Sequence, residues 1–199
     1  MIVERIELTD IRNYESAQFD LTPGMTAVVG ANGQGKTNLA EAVAYLATLS
    51  SFRGAPTDAM IRTDADAGFI RAVITDAERE ISIEAELSRS GRNRVQVNRQ
   101  RLAKTRDLLG VMRASVFSPD DLVIIKGGPS DRRRFLDDTL VALRSRYDLV
   151  RRELDRIVKQ RNRLLKQAGG ELTDEIAITL DVWDTRMAEV GDQLGRARA

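Results

Sequence analysis

The residues with the clearest potential for chemistry form a short run rich in glycine, from Gly30 to Thr37. The run matches G-x-x-x-x-G-K-[ST], the pattern of a phosphate-binding loop. Its glycines let the backbone wrap closely around a polyphosphate, so that N–H groups and a helix N-terminus face the anion. Lys36 would reach the terminal phosphates, and Thr37 would offer its hydroxyl to Mg²⁺. The predicted contact set is Gly30, Ala31, Asn32, Gly33, Gln34, Gly35, Lys36, Thr37 and Asn38.

The residues on either side of this loop strengthen the interpretation. Met25 to Val29 is a short apolar run, which predicts a buried strand. Asn38 to Leu46 contains good helix formers with apolar residues at 39, 42, 43 and 46, which predicts a helix. Strand, glycine loop and helix are the context that the motif requires, whereas an ordinary glycine-rich turn before a helix is the alternative.

The composition limits the classes of protein to consider. The chain has 199 residues, 42% hydrophobic and 31% charged, which suits one or two globular domains. Because the net charge is only +1, nucleic-acid binding would depend on local basic patches. Cysteine and histidine are absent, which excludes disulfides, thiolate catalysis and histidine as general base. With no signal peptide and no apolar run near the roughly 18 residues of a membrane span, we expect a soluble cytoplasmic protein.

The pattern along the first two thirds of the chain predicts an antiparallel β-layer beside the loop and its helix. Polar residues 50–67 predict a surface connection, residues 102–109 a short helix, and residues 114–117 another buried strand that ends before Pro119. The antiparallel strands are expected at residues 2–8, 17–21, 69–74, 80–87 and 94–98.

After residue 128 the pattern becomes helical. Apolar residues follow a heptad seam from Leu136 to Leu164, interrupted by Arg161, and Gly169-Gly170 breaks it. A second helical pattern runs from Leu172 to Leu194. The simplest interpretation is a lobe of two antiparallel helices, and a longer coiled-coil arm is the alternative, less favoured because the heptads stop early.

Several blocks of sequence resemble one family. They are residues 10–14, Pro23-Gly24, residues 29–42, Ser51-Phe52-Arg53, residues 116–122 and residues 128–137. Together they resemble the RecF family of bacterial DNA replication and repair proteins, which are ABC-type ATPases similar to SMC proteins. The resemblance implies an α/β fold: a P-loop ATPase core with an antiparallel β subdomain in residues 1–128, followed by a helical lobe in residues 129–199.

The resemblance also implies a function. Members bind ATP with Mg²⁺ and form an ATP-dependent homodimer when full length. They act on single-stranded or gapped DNA and have no membrane partner. They support recombinational gap repair, replication restart and the SOS response, together with mediators such as RecR. In related ATPases the arginine that matches Arg12 reaches the bound nucleotide; the alternative for Arg12 is a surface ion pair with Asp10 or Glu15.

Two motifs that such an ATPase needs for turnover are not found. Residues 87–91 imitate an L-S-x-G-x signature but have Ser90 where glycine belongs, and residues 176–181 imitate a strand ending in Asp but carry helical spacing. In the RecF family these motifs lie in the C-terminal half, so the chain resembles an N-terminal portion whose sheet edge and apolar surface would be exposed. We assign no catalytic residue, and expect ATP binding without efficient hydrolysis.

Residues 89–106 carry seven basic residues and no acidic one, which predicts a hairpin that could lie along phosphates. A second basic group, Lys126 with Arg132, Arg133 and Arg134, lies close to aspartates. A solvated basic face is the alternative for both groups, and the aromatic content of 5% gives little support for base stacking. The predicted DNA-binding residues are Arg89, Arg92, Arg94, Arg99 and Arg101, with Lys104 and Arg106 completing the seven.

Two other functions remain open from the sequence. The loop permits a small kinase or hydrolase, although no acceptor-binding or lid pattern is found. The helical region permits an SMC-like structural dimerisation module with a vestigial nucleotide site.

Overall fold

The structure is a computed structural model, and it describes residues 1–77, 79–169, 171 and 173–198. The chain divides into two compact units, Met1–Asp121 and Leu122–Ala199. The first contains a β-sheet and the glycine loop with its helix, and the second is helical.

The first unit is built on a six-stranded antiparallel sheet. The five predicted antiparallel strands are present, with bounds that differ by up to three residues, and a sixth short strand lies where a turn was expected. They run in the order β2-β1-β3-β4-β5-β6. Their bounds are Ile2–Ile11 (β1), Tyr14–Asp20 (β2), Ala67–Asp76 (β3), Arg79–Ser88 (β4), Arg94–Val97 (β5) and Gln100–Arg101 (β6).

One face of this sheet packs against the helix that follows the glycine loop, α1 (Lys36–Thr48). Alternate residues such as Ile6 and Ile70 are fully buried, and α1 adds Leu46 to the same cluster. The opposite face carries charged residues, because successive side chains of a strand point to opposite sides. The alternation in the sequence therefore sets which face supports α1.

The connection between α1 and β3 is more than the surface linker that its polar sequence predicted. Met60, at the end of a 3-10 helix, and Ile61 after it are both buried in the core of the sheet. Backbone hydrogen bonds of 2.8 Å join Arg12 to Met60 and Arg62 to Asp10. The prediction was wrong here because two isolated apolar residues leave no periodic signal in a polar stretch.

Two other predictions were also wrong. Residues 25–29 and 114–117 were expected to be buried strands, but the structure has neither strand. Met25 is 99% exposed, Val29 86% and Phe117 97%. A strand needs a neighbour to pair its backbone N–H and C=O groups, and in the described part of the chain the sheet places no strand beside either segment. The helix expected at residues 102–109 is a shorter 3-10 helix, Thr105–Leu108.

The described residues of the second unit form four helices. The heptad seam, expected to form one helix, is divided, because α3 ends at Leu143 and α4 begins at Tyr147. Gly169 ends α4 in the left-handed conformation, with φ of 59°. Gly170 and Leu172, which we used to predict the helix break and the second helical pattern, lie outside the described residues. The helices are α2 (Val123–Lys126), α3 (Pro129–Leu143), α4 (Tyr147–Ala168) and α5 (Asp174–Arg198).

Ion pairs hold α4 and α5 as an antiparallel pair. Arg161, which interrupts the seam, donates to Asp184 of α5, and Arg186 of α5 reaches Glu153 at 2.7 Å. With 22 residues, α4 is about 33 Å long, which suits the expected helical lobe better than a long arm.

Replacing Ile157 by Ala should destabilise the helical unit, because this side chain is fully buried in α4. We expect a loss of about 2–4 kcal/mol in the free energy of unfolding, measured by urea denaturation with far-UV circular dichroism. Leu149→Ala on the same helix is the control, since Leu149 is 64% exposed. Equal losses in the two variants would contradict the assignment of Ile157 to the core.

Candidate phosphate-binding site

The glycine loop leads directly into α1, whose first residue is Lys36. Gly30, Gly33 and Gly35 have positive φ values of 154°, 86° and 96°, a region that residues with a side chain rarely adopt. Among the described residues, the backbone N–H groups of Gly33, Gly35 and Thr37 have no protein acceptor. The loop therefore presents free N–H donors at the positive end of a helix, which is the arrangement that binds an anion.

Lys36 lies over its own loop. Its Nζ donates to the carbonyl oxygens of Gly30 and Ala31, at 2.8 Å each. Thr37, the next residue of α1, is exposed. No residue from Gly30 to Asn38 is acidic, so the donor set fits a polyphosphate.

The turn between β1 and β2, together with the first residue of β2, forms hydrogen bonds with the glycine loop. Asn13 donates through Nδ2 to the carbonyl oxygen of Gln34 at 3.2 Å and accepts through Oδ1 from Asn38 at 2.8 Å. The hydroxyl of Tyr14 donates to the carbonyl oxygen of Gly35 at 3.1 Å. A Cβ atom at Gly35 would lie 2.5 Å from Asn13 Oδ1, so no other residue fits there without a shift.

Arg12, the predicted nucleotide contact, also belongs to this turn, and its side chain hydrogen-bonds to other protein groups. Its Nε and Nη2 donate to the two carboxylate oxygens of Glu41 at 2.8 and 2.7 Å, and its Nη1 donates to the carbonyl oxygen of Ala59 at 2.7 Å. The alternative prediction, a surface ion pair of Arg12 with Asp10 or Glu15, was wrong, because Arg12 pairs with Glu41. Those two carboxylates lie near Arg62, at 3.5 and 3.4 Å.

Glu41 is the centre of this arrangement, and its side chain is fully buried in α1. Burial alone would raise the pKa of Glu41, but hydrogen bonds from Arg12 and Ser51, with the charges of Arg12 and Arg53, lower the pKa below its ordinary value. Arg53 also donates to Asn38 Oδ1 at 3.1 Å, so the network returns to the loop.

The sequence analysis gave no role to Asn13, Glu41, Ser51 or Arg53. A usable signal existed for Glu41, because a residue four positions before the buried Tyr45 shares its face of α1. The other three residues come from polar turns, where residue spacing carries no periodic information.

The predicted DNA-binding arginines do not form one surface. Arg89 donates to the carbonyl oxygens of Ala65 and Arg62 at 2.7 and 2.9 Å, and Arg94 lies 3.6 Å from Glu86. Arg99 occupies the turn between β5 and β6, where it borders a cavity on the open face of the sheet. Arg92 and Arg101 line a separate groove near the C-terminal end of α1.

The second basic group is surrounded by paired charges. Arg132 donates to the carbonyl oxygen of Gly127 at 3.2 Å. The nearby aspartates have arginine partners, because Asp137 pairs with Arg198 and Asp138 with Arg151. Lys126 ends α2, whereas Arg133 and Arg134 lie in α3 and are exposed.

The structure confirms that the two motif-like segments were correctly rejected. Ser88 ends β4, and residues 89–91 form a bend rather than a helix N-terminus, whereas residues 176–181 lie within α5. In the described part of the chain, no cluster of three acidic residues could hold a metal ion. Within the same residues, no helix is both long enough and apolar enough to cross a membrane.

Comparison with known proteins agrees with this geometry. The model of the RecF/RecN/SMC N-terminal domain matches residues 2–180. This chain belongs to that family. A DNA replication and repair protein RecF from Paenarthrobacter aurescens is 45% identical over 199 residues, which is 100% of this chain and 50% of the relative. The chain thus spans about half the length of the curated relatives it matches.

Two solved structures share the fold. The recombination mediator protein RecF with ATP, in the RecFOR pathway, has a TM-score of 0.91 and 30% identity, over 99% of this chain and 52% of that chain. The same mediator with ATPrS gives 0.91 and 29%, over 98% of this chain and 53% of that chain. The fold class expected from the sequence is therefore confirmed.

Replacing Glu41 by Gln should destabilise the first unit, because Arg12 would lose its buried counter-charge. Arg12 keeps 19% of its side chain exposed, so we expect a loss of about 2–4 kcal/mol in the free energy of unfolding, near the lower limit for breaking a buried ion pair. Urea denaturation at neutral pH measures the loss. Glu15→Gln is the control, because the Glu15 side chain is 79% exposed, and it should cost less than about 1 kcal/mol.

The same pair of proteins should differ in their response to acid. Since the pKa of folded Glu41 is lowered, its stabilisation is complete above the unfolded pKa of about 4.3 and is lost as the pH falls through the folded pKa. The stability gap between wild type and Glu41→Gln should therefore shrink in acid. Denaturation midpoints from neutral pH down to about pH 3 measure this, and a gap that stays constant would contradict the carboxylate role.

Proposed function

We propose that this chain is the nucleotide-holding part of an ATP-dependent DNA repair factor of the RecF type. The observation that carries the proposal is the loop itself, with free N–H donors at the start of α1 and Lys36 across the loop carbonyls. Two RecF structures described with ATP or ATPrS share the fold, and this likeness supports the choice of ATP.

Several residues of the loop have a defined part in this proposal. The N–H groups of Gly33, Gly35 and Thr37 would donate to phosphate oxygens, and Lys36 would exchange its two carbonyl partners for the terminal phosphates. Thr37 would supply one ligand of Mg²⁺, which neutralises phosphate charge and takes its remaining ligands from phosphates and water. Asn38, Asn13 and Tyr14 would hold the loop in its shape.

Arg12 would contribute to nucleotide binding from the turn between β1 and β2. Three of its N–H groups are used by Glu41 and Ala59, which fixes the guanidinium beside the β1–β2 turn. Glu41 balances its charge, so Arg12 would contribute to nucleotide binding through its two remaining N–H donors.

Hydrolysis would be inefficient in this chain. Turnover needs groups that order the metal and the attacking water, and among the described residues we assign no carboxylate to that work. We propose that the full-length protein forms an ATP-dependent homodimer in which such groups complete the site, with weak ATPase activity that DNA stimulates. The exposed segments at 25–29 and 114–117 would pair with strands of the remaining half.

The cellular role follows from the relatives. We propose that the protein acts in the cytoplasm as a mediator of recombinational gap repair, binding single-stranded or gapped DNA with partners such as RecR. Support for replication restart and the SOS response would follow from that role. The names of the RecF relatives, in replication and repair and in the RecFOR pathway, support this proposal.

Lys36→Ala should weaken ATP binding at least tenfold, because it removes a charge-assisted hydrogen bond of about 1.5–3 kcal/mol. Titration with a fluorescent ATP analogue measures the dissociation constant. Lys159→Ala is the control, since Lys159 is exposed on α4 and far along the chain from the loop, and it should leave the affinity unchanged.

Absence of nucleotide binding by the wild type would overturn the proposal. So would equal affinity in wild type and Lys36→Ala, and this second result would favour the structural module with a vestigial site. The short α4 and α5 make that alternative the weaker one.

A further inference from the structure

The seven cations predicted as one basic hairpin lie on separate surfaces, and these surfaces differ in how far neighbouring acids balance the positive charge. On the open face of the sheet, arginines alternate with acids: Arg5 lies 2.6 Å from Asp20, and Arg71 donates to Glu84. Arg94 is also near an acid, Glu86. A row of neighbouring opposite charges has little attraction left for a polyanion.

The groove near the end of α1 is different. It has a volume of about 560 Å³, and no acidic residue lines it. Five basic residues line it: Arg92, Arg94, Arg101, Lys104 and Arg106. Arg94 lies 3.6 Å from Glu86, whereas Arg92, Arg101 and Lys104 are exposed and have no acidic side-chain partner among the residues that the structure describes. The nearest acid along the chain, Asp107, accepts from the backbone N–H of Lys104.

The floor of the groove is polar and neutral. Asn93 donates to the hydroxyl of Tyr45 at 3.4 Å, and Thr105 donates to the carbonyl oxygen of Asn93 at 3.0 Å. Burial raises the pKa of Tyr45, so its hydroxyl adds no negative charge at neutral pH. Cations above a neutral hydrogen-bonding floor favour a phosphate ligand.

Three segments of the chain bring the three cations to the groove. Arg92 follows β4, Arg101 ends β6, and Lys104 precedes a 3-10 helix. The β5–β6 turn is two residues long, and Asn98 and Arg99 both have positive φ, as a type I′ turn requires. This tight turn returns the chain so that Arg101 faces the same groove as Arg92.

We propose that this groove, and not the open face of the sheet, binds the phosphate backbone of DNA. The proposal rests on the DNA-binding role proposed above and assigns it to Arg92, Arg101 and Lys104. The ring of Tyr45 is only 2% exposed, so the groove offers no platform for base stacking. Binding there would be independent of sequence and strongly dependent on salt.

The test compares two variants that each remove three positive charges. The groove variant is Arg92→Gln/Arg101→Gln/Lys104→Gln, and the matched control on the sheet face is Arg5→Gln/Arg71→Gln/Arg99→Gln. Arg71 keeps 40% of its side chain exposed and the other five residues are exposed, so both variants should fold, and circular dichroism verifies this. Fluorescence anisotropy with a labelled gapped DNA duplex gives the affinity at several salt concentrations.

We expect the groove variant to lose at least tenfold in affinity at low salt. The slope of log affinity against log salt should fall by about two to three, since each lost phosphate contact removes about 0.9. The sheet-face variant should change the slope by less than about one.

Three outcomes would overturn the inference. Equal losses in both variants would show that only net charge matters, and a larger loss in the sheet-face variant would place DNA on that face. An unchanged groove variant, with tight binding by wild type, would refute the groove alone. If the wild type bound no DNA at all, the proposed DNA-binding role would fail with it.

Discussion

The buried ion pair between Arg12 and Glu41 is the interaction on which the first unit depends. A fully buried carboxylate is tolerated only when its charge and its lone pairs have partners, and Arg12 supplies both through two parallel hydrogen bonds. This pair joins α1 to the turn between β1 and β2, and the same turn holds the glycine loop through Asn13. Polar contacts from this turn therefore hold the loop in its shape, and the sheet supports the loop only through the turn.

The arginines of the first unit differ in the groups that accept their hydrogen bonds and balance their charge. Arg12 and Arg89 are committed to buried or backbone acceptors and act as structural cations. Arg5 and Arg71 are balanced across strands by acids. Arginines of the same unit thus differ in function, because the fold gives them different partners.

Structural features with a periodic residue spacing or a fixed motif could be predicted from the sequence. The strands of the sheet, the glycine loop and α1 were identified in this way, and so was the antiparallel helix pair. Segments 25–29 and 114–117 were mistaken for buried strands because apolar composition does not reveal whether a neighbouring strand is present. Glu41 shares a face of α1 with the buried Tyr45, so its burial could have been read from the helical spacing, whereas Arg53 comes from a polar turn that has no periodic spacing.

The charged contacts between α4 and α5 limit how these helices can move. A seam made only of leucines could slide by one heptad and regain most of its packing. Arg161 with Asp184, and Glu153 with Arg186, would be separated by such a shift. The two ion pairs therefore favour the observed register over one that is shifted by a heptad, and they oppose sliding of α5 along α4.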